Sequence, residues 1–251
     1  MVRHVGDVAR LDVEREARTG IPEVVLAEGK LDEHLRQIAE AFADAKGRIL
    51  VSRLAPERLR LFEGLGLDLQ YHAEARLLVV AKPGAPPPRR TGGRVGILAA
   101  GTADVAVAEE ARLVAEELGC EVVKAYDVGV AGIHRLFPAL DRLLEADVDA
   151  VIVAAGREGA LAPVVSGLVD RPVIGLPIST GYGYGGQGLA ALQTMLQSCS
   201  PLTVVNIDAG FVAGATAAQF ANRVARARSA GADSVSAVER TGDANPRQTH
   251  G

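Results

Sequence analysis

The sequence has no run of about 18 uninterrupted apolar residues, so no membrane-spanning segment is expected. Its first residues, MVRHVGDVARLDVERE, are charged throughout and lack the apolar centre of a secretory signal, which points to a cytoplasmic protein. A basic excess is also missing. The formal net charge is −4 and the pI about 5.8, so nothing suggests nucleic acid as a partner. Small anionic ligands stay open, because a local loop binds phosphate whatever the charge of the whole. Cysteine is scarce. Cys120 and Cys199 lie far apart with no CxxC spacing, which argues against a disulfide framework and against a zinc site. There is no internal repeat. The first turn of the α/β region lacks GxGxxG, which disfavours a dehydrogenase.

What is present is enough apolar material for one large domain, or for a domain and a small partner: 48% of 251 residues are hydrophobic. Proline and glycine crowd residues 82–90 (KPGAPPPRR), a stiff exposed linker. The expected organisation is a small mixed α/β domain over 1–82, a linker over 83–92, a larger α/β domain over 93–230 and a polar tail over 231–251. The tail ends in TGDANPRQTHG, which predicts disorder from about residue 241.

In the first domain, 23–27 is a short apolar run, and 49–52, 69–72 and 77–81 read as strands. Residues 32–45 carry Leu35, Ile38, Ala39 and Phe42 at helical spacing, and 56–62 reads as a helix with proline in its first turn. In the second, 94–99, 121–126, 150–154, 172–175 and 202–207 are short Val- and Ile-rich segments of the kind that form buried strands. Helical segments alternate with them at 104–118, 134–146, 161–169, 189–197 and 214–227. Such alternation builds a mostly parallel, doubly wound sheet with right-handed crossovers.

Open parallel sheets bind ligands beyond the carboxyl ends of their strands, which selects the loops to read. After the first strand, Gly101 and Thr102 offer backbone N–H groups and a hydroxyl to an anion at a helix start. Asp104 serves the site or simply caps that helix. After the third strand come Gly156, Arg157, Glu158 and Gly159. Arginine suits phosphate or carboxylate, and Glu158 is a general base or an acid favouring a helix start. After the fourth, LPISTGYGYGGQ brings Ser179, Thr180, Gly181 and Tyr182 in a donor-rich, flexible loop. His134 and Arg135 follow the second strand, where a lone histidine is either structural or part of the site.

Cys120 has apolar neighbours and reads as buried and inert. Cys199 stands among small polar residues before a proline, in an accessible turn fit for a nucleophile. It precedes a strand, however, and so belongs to the sheet edge opposite the other loops. If it is catalytic, the loop curls over or a neighbouring subunit supplies it, and the latter makes assembly obligatory.

These motifs converge. Residues 94–220 resemble the phosphoribosylaminoimidazole carboxylase (PurE-like) fold, through the GTAD loop, AGREGALAPVVSGL, and PVIGLPIS followed by the glycine-rich loop. From Leu11 to about Ala227 the chain is similar, more specifically, to the pyridinium-3,5-biscarboxylic acid mononucleotide synthase family (LarB), which acts in making the nickel-pincer nucleotide of lactate racemase. The most specific segments are RLDVEREARTGIPEVVLAEGK, AGTADVAVAEEA, YDVGVAGIHRL, STGYGYGGQGLAAL and QSCSPLTVVNIDAGFVAG.

The resemblance implies an enzyme that takes nicotinic acid adenine dinucleotide and carbon dioxide, adds a carboxyl group at C5 of the pyridinium ring and releases AMP. It implies Cys199 as the nucleophile and Glu158 as the active-site glutamate; Thr102, Asp104, Arg157 and the glycine-rich loop are then expected to hold the phosphates, the metal or the ring carboxylate. It also implies magnesium for the hydrolysis, with ligands left unassigned, and a homo-oligomer, typically an octamer. Arg157 stands where the family is expected to carry an apolar residue, often methionine. Two alternatives remain: an aminoimidazole ribotide carboxylase or mutase, which needs no thiol, and a nucleotide-binding module without catalysis.

Overall fold

The computed structural model describes residues 2–5 and 9–242. The chain opens with an antiparallel pair, β1 (Val2–Val5) and β2 (Ala9–Asp12), and a single-turn helix α1 (Arg15–Thr19). None of these was legible in the sequence: the strands are four residues long and too short to set a period. Next come β3 (Val24–Leu26), α2 (Asp32–Lys46), β4 (Arg48–Ser52), β5 (Asp68–His72) and β6 (Leu77–Ala81). They form a sheet of order β3-β4-β6-β5, parallel at β3–β4 and antiparallel elsewhere. Helix α2 buries Leu35, Ile38, Ala39 and Phe42 against it, the stripe its spacing predicts. The helix expected over 56–62 is a run of 3-10 turns instead.

The remainder is a five-stranded parallel sheet. Its elements are β7 (Arg94–Ala99), α3 (Val105–Glu117), β8 (Glu121–Ala125), α4 (Leu136–Glu145), β9 (Ala150–Ala155), α5 (Leu161–Ser166), β10 (Val173–Pro177), α6 (Leu189–Leu196), β11 (Thr203–Val204) and α7 (Gly210–Gly242). The strand order is β11-β10-β9-β7-β8, and every pairing is parallel. Alternate residues feed two cores. Val95, Ile97, Ala99, Ala150, Ile152 and Ala154 face the α3–α7 side. Leu98, Val151, Val153 and Ala155 face α4 and α5. Every residue of β9 is buried, so this central strand shows no polar alternation. Each buried Val or Ile contributes about 1.5–3 kcal/mol of transfer free energy, which concentrates stability in β7, β9 and β10.

Several boundaries depart from expectation. The last strand is two residues long, not six, because Asn206 accepts the Ile207 N–H and Asp208 turns the chain at φ +55°. Helix α4 starts at Leu136, since 3-10 turns occupy Val130–Arg135. Helix α5 stops at Ser166. Helix α7 starts at Gly210 and runs to Gly242, so the expected polar tail is helical as far as that residue. Its alanine- and arginine-rich sequence is strongly helix-forming. The remaining expected tail, 243–251, lies outside the described residues. Among the described residues no helix is long and apolar enough to cross a membrane.

The two sheets meet through α3 and α7. Leu50, Leu77 and Val79 of the first sheet pack on Leu113, Val114 and Ala215. Arg48 grips Glu117 of α3 with two hydrogen bonds of 2.7 and 2.6 Å.

Candidate active site

A cavity of about 330 Å³ opens beyond the carboxyl ends of β7, β9 and β10. Gly101, Asp104, Arg157, Glu158, Thr180 and Tyr182 line it. Asp104 forms its base and is 5% exposed. One carboxylate oxygen accepts the Gly101 N–H at 2.9 Å, and the other accepts the Thr180 hydroxyl at 3.2 Å. The acid thus caps its own turn and also clasps the glycine-rich loop, joining two alternatives that the sequence left apart. Burial pushes the Asp104 carboxyl above the ordinary aspartate range. Hydrogen bonds from Gly101, Thr180 and the Gly156 backbone oppose this, and the charge of Glu158 adds to it.

Gly156 is dictated by this packing. A Cβ there would stand 2.3 Å from Thr180 Oγ1 and 2.7 Å from Asp104 Oδ1. Directly after it, Arg157 and Glu158 are exposed on the rim. The Arg157 guanidinium lies over the Tyr182 ring, 4.2 Å from its centre. Among the described residues Arg157 is the only basic side chain lining the cavity, against two carboxylates.

The chain matches the LarB/PurE-like N-terminal domain over residues 2–82 and AIR carboxylase over residues 94–241. The chain belongs to the AIR carboxylase family, in the two-domain LarB arrangement. An uncharacterized protein of Methanocaldococcus jannaschii is 43% identical over 218 residues, covering 84% of this chain and 83% of that protein. A probable N5-carboxyaminoimidazole ribonucleotide mutase of Methanothermobacter thermautotrophicus is 33% identical over 51% of this chain and 37% of its own length. The corresponding mutase of Thermotoga maritima is 28% identical over 51% of this chain and 74% of its own. A PurE-like carboxylase or mutase domain is therefore present.

Within this AIR carboxylase domain, the residues expected at the site are distributed unevenly. Gly101, Asp104, Arg157, Glu158, Gly159, Thr180, Gly181 and Tyr182 line the cavity, and Gly156 lies packed beneath it. Thr102, His134, Arg135 and Ser179 are exposed and do not line it. Arg135 instead pairs with Asp127, and its Nε donates to the Gly132 carbonyl at 3.4 Å. Cys120 is buried, donates to Asn222 Oδ1 at 3.3 Å, and burial pushes its thiol up to about 11.

Cys199 is exposed and stands apart from all of these. It lines a shallow cavity of about 580 Å³ with Pro163, Val164, Gln193 and Thr194, which shares no residue with the first. The neighbouring Pro201 carbonyl accepts the hydroxyl of Ser166, at the end of α5. Helix α6, eight residues or about 12 Å long, separates the glycine-rich loop from the Cys199 turn. Within one protomer the sulfur belongs to the opposite sheet edge.

Asp208 escaped the sequence reading. Its carboxylate accepts the Ser179 N–H at 2.9 Å, and its own N–H donates to the Pro177 carbonyl at 2.9 Å. The available signal was an aspartate two residues before a glycine that opens a helix.

Proposed function

We propose that this protein carboxylates the pyridinium ring of nicotinic acid adenine dinucleotide at C5 and cleaves its phosphoanhydride. The products are pyridinium-3,5-biscarboxylic acid mononucleotide and AMP. The observation that carries the reading is the charge of the cavity: Asp104 and Glu158 face one guanidinium, that of Arg157. A pyridinium cation gains from that field. An aminoimidazole ribotide has no cationic ring to meet the two carboxylates, while the phosphates of either substrate must be met by Arg157 and backbone N–H groups. The LarB-type N-terminal domain supports the same reading.

The chemistry requires a nucleophile because C5 of a pyridinium is electron-poor. The Cys199 thiolate adds at C4, and the ring nitrogen takes the electron pair. C5, now the nucleophilic end of an enamine, forms a bond to carbon dioxide. Glu158 accepts the C5 proton, the carbon–sulfur bond breaks, and aromaticity returns. Since Cys199 and the cavity lie on opposite edges of one sheet, the thiolate comes from a neighbouring subunit, and assembly is part of catalysis. Arg157 holds an anionic group of the substrate, and Asp104 fixes Thr180 and Gly101 around it.

Among the described residues no group of three or more histidine, cysteine, aspartate or glutamate side chains forms a metal cage. The donor set suits magnesium only as an ion held largely by substrate phosphates, with Asp104 or Glu158 as the protein ligand. When bound there, it neutralises phosphate charge during the hydrolysis.

One mixture tests the proposal: purified protein, nicotinic acid adenine dinucleotide, bicarbonate and magnesium, followed by mass spectrometry. AMP and a mononucleotide heavier by one carboxyl group are expected, and loss of the carboxylated product with Cys199→Ala and Cys199→Ser. Full activity of Cys199→Ala refutes the covalent route. A second reading, carboxyl transfer on an aminoimidazole ribotide, is favoured by the similarity to two mutases. Turnover of that substrate alone would replace the first reading with it.

A further inference from the structure

The N-terminal domain carries no residue of the cavity, yet it reaches the ligand loops through one corner. We propose that Arg53 is a positioning residue that fixes the base of the glycine-rich loop from outside the AIR carboxylase domain. This goes beyond the proposed reaction and does not depend on its substrate.

The corner is the end of β4. Arg53 follows Ser52 with φ +54°, a left-handed conformation that side-chain-bearing residues adopt rarely and at a cost of about 1–3 kcal/mol. Arg76, also left-handed at φ +49°, holds it there: the Leu54 N–H donates to the Arg76 carbonyl at 2.7 Å. This bent corner aims the Arg53 side chain across the domain boundary. One of its terminal nitrogens donates to the Asp208 carbonyl at 2.7 Å, and the other to Glu28 at 3.1 Å.

Asp208 is left-handed too, at φ +55°, and it faces two ways. Its carbonyl receives Arg53, while its carboxylate receives the Ser179 N–H. The next residue, Thr180, donates to Asp104 at the floor of the cavity. Three hydrogen bonds, joined through Asp208 and through the Ser179–Thr180 peptide link, therefore connect Arg53 to Asp104.

A second grip holds the same segment. The Ser52 hydroxyl hydrogen-bonds the buried carboxyl of Glu110 on α3, which also accepts a backbone hydrogen bond from Phe211. Gly210 is forced by this contact, since a Cβ there would meet Glu110 Oε2 at 2.5 Å. Ser52 and Arg53 together thus pin residues 208–211, from which Asp208 holds the loop.

Plain docking of the two domains does not need Arg53. The Leu50–Val79–Val114 cluster and the Arg48–Glu117 pair fasten the interface without it. Arg53 is spent on the contact made directly to Asp208, and it is held in a strained conformation to make it.

Amide hydrogen exchange on the full-length protein without ligand tests this. In Arg53→Ala, exchange across residues 178–188 should rise about tenfold, as loss of one charged hydrogen bond implies. Exchange in β6 and β7 should stay unchanged. Arg53→Lys, which keeps a cationic donor, should restore most of the protection. Asp208→Ala should reproduce the Arg53→Ala pattern. Unchanged loop exchange in Arg53→Ala overturns the inference. So does an equal rise throughout the chain, which would make Arg53 a general structural residue. Because no substrate is present, the result stands or falls apart from the proposed reaction.

Discussion

Arg157 rests its guanidinium 4.2 Å from the centre of the Tyr182 ring, and both residues line the same cavity. Stacking occupies the face of the guanidinium and leaves its edge donors for a ligand. Neither neighbouring carboxylate forms an ion pair with it among the described residues, so the cation is available to a substrate anion. Arg157→Met should weaken binding of nicotinic acid mononucleotide more than that of nicotinamide mononucleotide. The expected loss is roughly tenfold or more in affinity for the acid, the worth of one charged hydrogen bond, with little change for the amide. Calorimetric titration of both ligands checks it. Equal weakening of the two would assign Arg157 to a phosphate instead.

Gly156→Ala should be far more damaging than its size suggests. The new methyl group would collide with Thr180 Oγ1 and Asp104 Oδ1, both fixed by their mutual hydrogen bond. Overpacking of this kind costs about 1–3 kcal/mol, and here the atoms displaced are those of the site. A modest fall in Tm together with a loss of turnover of at least about a hundredfold is expected. Wild-type turnover in this variant would show that the Thr180–Asp104 clasp is dispensable.

The clasp also shows how far the sequence could be read. The strand and helix alternation and the parallel sheet followed from Val- and Ile-rich runs ending in glycine or polar residues. What did not follow were contacts between distant segments. Nothing in the sequence singles out Asp208 or Arg53; the fold brings the Arg53 guanidinium within 2.7 Å of the Asp208 carbonyl. His134 and Arg135 read as site residues because they follow a strand, yet 3-10 turns at Val130–Arg135 leave them on the surface. Cys199 was legible as accessible and as belonging to the far edge, because strand direction alone decides that.

Two buried acids on α3 should impose opposite pH behaviour. Glu109 contacts Arg112, Lys124 and Tyr126 at 2.8, 2.5 and 2.5 Å, which together outweigh its burial and hold its carboxyl down at about 2 against an ordinary 4.5. A depressed acid stabilises the fold above its unfolded value and loses that contribution as the pH falls toward 2. Glu109→Gln should therefore lower the unfolding midpoint at pH 7 and flatten the acid limb below about 4.5. Glu110 is raised by burial, so its contribution is present below its unfolded value and disappears as the pH rises through its folded one. Glu110→Gln, which cannot ionise, should remove the loss of stability seen as the pH rises through the folded value of Glu110. Thermal denaturation across pH 3–8 separates the two, and identical profiles would refute the assignment.

Subunit mixing decides where the thiolate comes from. Neither Cys199→Ala nor Glu158→Gln should carboxylate alone, the first lacking the nucleophile and the second the base. If a site joins Glu158 of one subunit to Cys199 of another, hybrids of the two inactive variants contain sites with both groups intact. Random mixing at equal amounts places them together in roughly one site in four, so about a quarter of wild-type activity should return. If each site draws both residues from one chain, no hybrid contains an intact site and activity stays at zero. Co-refolding followed by the mass-spectrometric assay reads the result. Recovery would explain why an exposed sulfur sits about one helix length from the cavity it serves, and its absence would require the turn at Cys199 to swing across α6.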